Sequence, residues 1–160
     1  YDRVDSLRKK TVQLLLSAGI SAARIFVFAD PGQFPTYKEA LEPLGLQVVK
    51  GRKGICNQRN AVMEHFKPGD CIVEMDDDIS CLLTTTGALR SDRSARTVPV
   101  PEENLEFIID HIWEIADRER CKLWGIYPTP NTYMLSRTYT LGLAKSTGQM
   151  QGYYNPGGGL

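Results

Sequence analysis

The chain has 160 residues, which is enough for one domain with one buried core and too few for two. Hydrophobic residues make up 42% and charged residues 24% of the chain, and this composition excludes a largely disordered protein. The 19 basic and 19 acidic side chains give a net charge of zero, so the charge of the whole chain does not indicate a nucleic-acid partner. Basic residues cluster at positions 8–10 and 50–53, which leaves a local basic face open. We therefore expect residues 1–160 to form a single domain.

The cysteines and the apolar segments favour an intracellular protein, either cytoplasmic or nuclear. The four cysteines form no CxxC pair, so we expect reduced thiols rather than a zinc site, with Cys71 and Cys81 buried in apolar stretches. No apolar run approaches the roughly 20 residues of a membrane span, and no signal peptide is visible. Because neither Tyr1 nor the last four residues resemble a natural terminus, we expect a partial domain that is truncated at both ends.

Helices and strands are predicted in alternation along the chain. Apolar residues at helical spacing predict helices, with a short helix or turn as the second, over residues 4–18, 36–44, 56–66 and 101–120. Short apolar runs bounded by turn residues predict strands over residues 24–29, 46–49, 71–75 and 123–127. The polar segment 84–100 is predicted to be a loop. This order indicates an α/β fold with right-handed crossovers and a mostly parallel sheet that has helices on both faces.

Asp76, Asp77 and Asp78 follow the third predicted strand directly, at the kind of strand end where α/β proteins bind ligands. Alternate side chains of an extended backbone point the same way, so Asp76 and Asp78 can share a face. Two carboxylates suit Mg2+ or Mn2+, which would leave positions open for a diphosphate and stabilise its charge. The alternative is an acidic turn or helix start whose carboxylates accept hydrogen bonds from free backbone N–H groups.

A basic, glycine-containing loop precedes the aspartates. The segment 51–54 carries Arg52 and Lys53, and the helix that follows carries Arg59 and Asn60. Glycine lets the backbone approach a ligand closely, and the cationic side chains offer charge to phosphate. The alternative is a solvated basic turn followed by the polar face of an amphipathic helix.

A third group of residues lies near the end of the fourth predicted strand. Trp124 and Tyr127 could stack on a sugar or a base, and Asn131 could bond to the donor or the acceptor. The alternative for these residues is a buried strand that ends in a rigid, proline-containing turn.

The order of these motifs within residues 50–83 resembles the donor-binding half of GT-A glycosyltransferases. It runs from the basic glycine loop through the Arg59-Asn60 helix, a Pro-Gly-Asp turn and an apolar strand to an Asp-x-Asp motif. Finer features are similar to the glycosyltransferases associated with TET and JBP dioxygenases, a group that includes the enzyme that glucosylates hydroxymethyluracil in DNA to make base J. Those features are residues 25–30, Tyr37, the loop 51–54, Arg59-Asn60, residues 75–79, residues 124–128 and Asn131.

The resemblance implies an inverting hexosyltransferase that moves glucose from UDP-glucose to a hydroxymethylpyrimidine in DNA. It implies that Asp76 and Asp78 hold Mn2+ or Mg2+, and that Asp30 meets the uracil or ribose of the donor. The alternative for Asp30 is a residue that only forms the turn after its strand. Arg59 and Asn60 would lie beside the donor and brace the aspartate loop. The remaining donor contacts would be Arg52, Lys53 and Asp77.

Two departures from the GT-A pattern keep other functions open. No strand is predicted before the first helix, and no Asp or Glu follows Leu123, so no residue is assigned as the catalytic base. The alternatives are a glycosyltransferase that acts on a glycan, protein or lipid, a metal-dependent nucleotidyltransferase that releases pyrophosphate, and a non-catalytic binding domain.

Overall fold

The computed structural model describes residues 3–86, 96–126 and 149–157, and it shows a mixed α/β protein with three small sheets. Its helices are α1 Val4–Leu7, a π-helical segment Arg8–Val12, α2 Gln13–Ser17, α3 Phe34–Leu41, α4 Ile55–His65 and α5 Leu105–Arg118. Its strands are β1 Phe26–Ala29, β2 Gln47–Lys50, β3 Cys71–Met75, β4 Leu83–Thr86, β5 Arg96–Pro99, β6 Leu123–Gly125 and β7 Met150–Tyr154. Short 3-10 helices lie at Ala22–Arg24, Glu42–Leu44 and Glu102–Asn104.

The N-terminal helix consists of α1, the π-helical segment and α2, and it confirms the helix predicted from residue 4. It ends at Gly19, whose φ of 80° is a conformation that glycine adopts without a steric penalty. Its buried side chains Val4, Leu7 and Val12 belong to a core cluster with Ile25 and Ala29 of the β1 region. The apolar face predicted for this helix therefore packs against β1.

The first sheet is the parallel pair β1–β2, which α3 connects. Tyr37 and Leu41 of α3 lie in the same core cluster as the N-terminal helix, and Leu41 is 0% exposed. Alternation along β1 places Ile25, Val27 and Ala29 toward these helices. The N-terminal helix and α3 thus cover the same face of this sheet.

The second sheet has the order β3–β7–β6, and both neighbours of β7 are antiparallel to it. The predicted strands at 71–75 and 123–127 are present as β3 and β6, while β7 was not predicted. Gly152 in β7 weakened the strand pattern, but it is needed there because a Cβ at this position would lie 2.2 Å from the Trp124 ring. Of the expected mostly parallel sheet, the described residues contain one parallel pair.

The third sheet is an antiparallel pair, β4–β5, where the sequence predicted a loop. The prediction was wrong at both ends of that segment. β4 contains three consecutive threonines, and β5 contains a threonine and a valine, all β-branched residues that suit a pleated strand. Because threonine is polar, a prediction based on hydrophobicity alone did not detect the strand propensity of this segment.

The ends of α4 and α5 agree with the predicted helices to within a few residues. Asn155, 2% exposed, closes the end of α4 by donating to the carbonyl oxygens of Met63, Phe66 and Lys67 at 2.9, 2.8 and 3.1 Å. At the start of α5, Leu105 packs with Leu14 in a second core cluster. Within the described part of the chain, no helix is long and apolar enough to cross a membrane.

All four cysteines are free thiols, as expected. The burial predicted for Cys71 and Cys81 was wrong. Cys71 and Cys81 are exposed, as is Cys56, and only Cys121 is half-buried. On β3 the side chain of Ile72 is buried instead, because neighbouring residues of a strand face opposite sides.

Candidate functional site

A cleft of about 940 Å3 lies between β1 and β3. Both strands run in the same direction along it. Helix α4 begins where Gln58 bonds to Phe28 near the end of β1, and it ends where Phe66 packs on Phe26 at the start of β1, with ring centroids 4.9 Å apart. The turn Lys67–Asp70 then leads directly into β3. The carboxyl ends of β1 and β3 therefore lie at the same end of the cleft.

Charged side chains line the cleft at this end. They are Asp30, Arg52, Arg59, Asp76 and Asp77. All five were predicted from the sequence as site residues. Asp30, Arg52, Asp76 and Asp77 follow the ends of β1, β2 and β3, and Arg59 lies on α4, so all five line the same cleft. The predicted residues Lys53, Asn60 and Asp78 are not among the described residues that line the cleft.

The aspartate loop is held by the N-terminal helix. The hydroxyl of Thr11 donates to the Asp76 carbonyl oxygen at 2.7 Å and accepts from the Ile79 N–H at 3.0 Å. Thr11 lies in the π-helical segment and is 4% exposed. The sequence predicted that Arg59 and Asn60 brace this loop, whereas in the structure Thr11 makes these bonds. A polar residue among the apolar positions of the first predicted helix is the signal that could have identified it.

Arg3 forms ion pairs with two of the three aspartates. Its Nε lies 3.0 Å from Asp77 Oδ2, and its Nη2 lies 2.8 Å from Asp78 Oδ2. The third carboxylate has a raised pKa: burial raises the pKa of Asp76, and repulsion by Asp78 and Asp77 raises it further, while Arg59 and Arg3 oppose the shift. The Arg3 guanidinium therefore pairs directly with two of the three carboxylates, and the third, Asp76, is repelled by both of them.

Glu74 extends the acidic surface along β3. It accepts hydrogen bonds from Tyr153 Oη at 2.8 Å and from Gln151 Nε2 at 2.9 Å, and it lies 4.0 Å from Arg59 Nε. Burial and the bond to Glu74 raise the pKa of the Tyr153 phenol. Sequence reasoning did not assign Glu74 a role, although its position two residues before Asp76 placed it on the same face of the strand.

The basic loop is partly neutralised by its own helix. Arg52 forms a bidentate pair with Glu64, at 2.9 and 2.5 Å, and its backbone N–H donates to Gln58 Oε1. Asn57 donates to the Lys53 carbonyl oxygen at 3.0 Å. Arg52 is therefore occupied by Glu64, whereas Arg59, which also lines the cleft, lies close enough to Asp76 to oppose the rise in its pKa.

Two further predicted residues serve local structure. Asp30 Oδ1 accepts from the Gly32 N–H at 2.8 Å, as expected of a turn residue, while it also lines the cleft. Trp124 packs edge-on against Trp113, with centroids 5.5 Å apart, and lies over Gly152. The predicted sites Tyr127 and Asn131 lie outside the described residues.

Within residues 3–86, 96–126 and 149–157, no three His, Cys, Asp or Glu side chains are grouped as ligands of one metal ion. At the end of β3, one or two of the aspartates could serve as ligands of a cation. Such a set suits Mg2+ or a similar hard ion, which commonly takes one or two protein carboxylates and completes its shell with water and substrate phosphates.

Comparison of this chain with protein-family models, with curated proteins and with solved structures found no match. The fold and the site define it as a mixed α/β protein with an acidic and basic cleft at the ends of its strands.

Proposed function

We propose that this chain is the donor-binding part of a metal-dependent glycosyltransferase of the GT-A type. The observation that supports the proposal most is the meeting of Asp30, Arg59, Asp76 and Asp77 at one end of a single cleft. A nucleoside diphosphate sugar carries a polar base and ribose, a diphosphate and a sugar, and such a row of polar groups beside an apolar cavity fits a ligand of this kind.

In this proposal the sheets β2–β1 and β3–β7–β6 are two parts of one layer. The N-terminal helix and α3 cover one face, and α4 covers the other, where Phe66 and His65 pack on Phe26 and Phe28. A layered arrangement with ligands at the carboxyl ends of the strands is the general plan of nucleotide-binding α/β proteins.

Asp76 and Asp78 would hold Mn2+ or Mg2+, which would stabilise the negative charge of the departing diphosphate. Asp76 fits this role because its raised pKa marks a carboxylate whose negative charge lacks sufficient compensation. Asp78 would have to exchange its partner Arg3 for the cation. Arg59 supplies a cationic side chain toward the phosphates, and Asp30 accepts from the ribose or the base.

The donor UDP-glucose, the acceptor hydroxymethylpyrimidine in DNA and the inversion at the anomeric carbon are proposed from the resemblance to the TET- and JBP-associated enzymes. The chain has a net charge of zero, so contact with DNA would depend on local clusters such as Arg8, Lys9 and Lys10, which are exposed on the π-helical segment.

Isothermal titration calorimetry with Mn2+ and UDP tests the proposal. We expect UDP to bind in the presence of Mn2+ and much more weakly without it, and we expect the variant Asp76→Asn with Asp78→Asn to lose the metal-dependent part. The matched control Glu39→Gln removes an exposed acid of α3 and should bind as the parent does. Stronger binding of UTP than of UDP-glucose would indicate a nucleotidyltransferase instead.

A non-catalytic binding domain is the second candidate, and the pairing of Arg3 with two of the three aspartates favours it. A folded protein that takes up neither Mn2+ nor UDP, with the same result after both aspartates are replaced, would reject the first function and favour the second.

A further inference from the structure

The two sides of the charged end of the cleft belong to different sheets. Asp30 follows β1, and the aspartate loop, residues 76–79, follows β3. In the part of the chain that the structure describes, these two strands lie in separate sheets, so no shared ladder of backbone hydrogen bonds fixes Asp30 relative to Asp76. A ligand that contacts both residues therefore needs another element to hold the two sides in place.

The N-terminal helix packs against both sides of the charged end. Val12 is 1% exposed and belongs to the core cluster that also contains Ile25, the residue before β1. Leu14 belongs to the second core cluster, and Met75 and Ile79, which lie on either side of the three aspartates, pack against that cluster. The helix thus contacts the β1 side and the aspartate loop through different side chains.

Thr11 adds a directional contact between this helix and the aspartate loop. Its hydroxyl donates to the Asp76 carbonyl oxygen at 2.7 Å and accepts from the Ile79 N–H at 3.0 Å. These groups belong to the first and last residues of the loop, and Asp77 and Asp78 lie between them. Because apolar contacts are non-directional whereas hydrogen bonds require a narrow range of distances and angles, the Thr11 hydroxyl fixes the loop more closely than packing alone would.

Burial makes this contact hard to replace. Thr11 is 4% exposed, so the loss of its hydroxyl would leave two backbone groups of the loop without this partner at a place that water reaches poorly. The π-helical segment Arg8–Val12 places Thr11 beside Val12, and both residues are buried although one bonds to the loop and the other packs with the β1 side. π-helical turns within helices are frequently found at functional sites.

We propose that Thr11 is a positioning residue of the candidate site, whose hydroxyl holds the aspartate loop in place relative to Asp30 so that one nucleoside diphosphate, with its cation, can contact both. This role rests on the proposed function, which supplies the ligand. Thr11 acts through the backbone of the loop, and the carboxylates of the loop make the contacts with the ligand and the cation.

The variants Thr11→Val and Thr11→Ser test this role, because valine keeps the shape of threonine without its hydroxyl and serine keeps the hydroxyl. Leu41→Val is the matched control for a loss of packing, since Leu41 lies in the same core cluster as the helix and is not among the described residues that line the cleft. Titration calorimetry measures the binding of UDP in the presence of Mn2+, and amide hydrogen exchange is followed at Ile79. Gly51 and Tyr154, whose N–H groups donate to β1 and to the residue before β6, report whether both sheets are intact.

We expect Thr11→Val to speed exchange at Ile79 at least about tenfold and to weaken UDP binding about fivefold or more, because the loop is no longer held for the ligand. Thr11→Ser and Leu41→Val should both stay within about twofold of the parent in these two measurements. Restoration by serine separates the hydroxyl from the bulk of the side chain, and Leu41→Val separates positioning from a general loss of stability.

Unchanged exchange at Ile79 in Thr11→Val, or UDP binding equal to that of the parent, would overturn the role of Thr11. Equal losses of UDP binding in Thr11→Val and Leu41→Val would overturn it as well. If Thr11→Val loses protection at Gly51 and Tyr154, the smaller Thr11→Ala takes its place and is judged in the same way. A parent that binds no UDP with Mn2+ would reject the proposed function, and with it the ligand, whereas equal UDP binding by the parent and Thr11→Val rejects only the role of Thr11.

Discussion

At the scale of single residues, the three aspartates differ in how far a positive charge compensates each of them. Arg3 contacts Asp77 and Asp78, while Asp76 has a pKa raised by burial and by both of its neighbours. A carboxylate that is harder to ionise in the folded state than in the unfolded state destabilises the fold at neutral pH.

The variant Asp76→Asn should therefore be more stable than the parent at pH 7, by only about 1–2 °C in Tm, since the carboxylate is only partly removed from water and the repulsion is screened by solvent. Because the folded pKa lies above the unfolded value near 3.8, the parent gains stability as the pH falls through the raised pKa, and the difference between the two proteins should shrink toward pH 4. Thermal scans from pH 4 to 7 measure this. A parent that is more stable than the variant at pH 7 would show that Asp76 is a favourable structural acid.

The variant Arg3→Gln should bind Mn2+ at least several-fold more tightly than the parent, because it frees Asp77 and Asp78 from their ion pairs. Its stability should fall by less than about 1 kcal/mol, since exposed ion pairs contribute little. Arg24→Gln, which removes another exposed pair, with Glu106, is the matched control and should leave Mn2+ affinity unchanged. Equal affinities of all three proteins would argue against a metal site at these aspartates.

At the scale of elements, the second sheet depends on contacts that a single substitution can disrupt. Gly152 brings β7 close to the Trp124 ring, and Asn155 joins the segment after β7 to the end of α4. Both residues come from the region after residue 148, where no strand was predicted. The position of β3, and with it that of the aspartates, therefore rests on a segment that is remote in sequence.

Gly152→Ala should destabilise the protein by about 1–3 kcal/mol, because the added methyl group would lie within 2.2–2.6 Å of three atoms of the Trp124 side chain. Urea unfolding measures the loss. In the background Trp124→Leu the same change should cost clearly less, and a cost that is the same in both backgrounds would show that the contact with Trp124 is not the cause.

Asn155→Ala should cost about 2–3 kcal/mol, because three carbonyl oxygens at the end of α4 lose their buried donor. Asn57→Ala, which removes one exposed bond to the Lys53 carbonyl oxygen, should cost less than about 1 kcal/mol in the same urea titration. If Asn155→Asp, which keeps the shape but not the donors, is as stable as the parent, the hydrogen bonds are not the source of the stability.

At the scale of the whole molecule, the rates at which the four thiols react measure how well each cysteine is covered by the folded chain. Three of the four cysteines are exposed, and the fourth, Cys121, is half-buried beside the Glu119 carbonyl oxygen. A thiol reagent such as Ellman's should therefore react rapidly with three groups in the folded protein, more slowly with one, and rapidly with four in guanidinium chloride. Rapid reaction of fewer than three thiols would contradict the exposure of Cys71 and Cys81.

The sequence by itself determined the local structure of most of this protein. The helices from residue 4, in α4 and in α5, and the strands β1, β2, β3 and β6, follow from apolar spacing and turn residues, which act over a few neighbouring positions. The order of motifs along the chain also indicated candidate site residues. Four of them, Asp30, Arg52, Asp76 and Asp77, follow predicted strands, and Arg59 lies on a predicted helix.

Only the tertiary structure decided which of these elements are neighbours and which charges meet. Arg3 pairs with Asp78 across 75 positions, and Tyr153 bonds to Glu74 across 79, and neither partner carries a sign of the other in its local sequence. The antiparallel β7, the bracing by Thr11 and the exposure of the cysteines were decided in the same way. The physical reason is that periodicity encodes which face of an element is buried, whereas its partner is chosen by the packing of the whole chain.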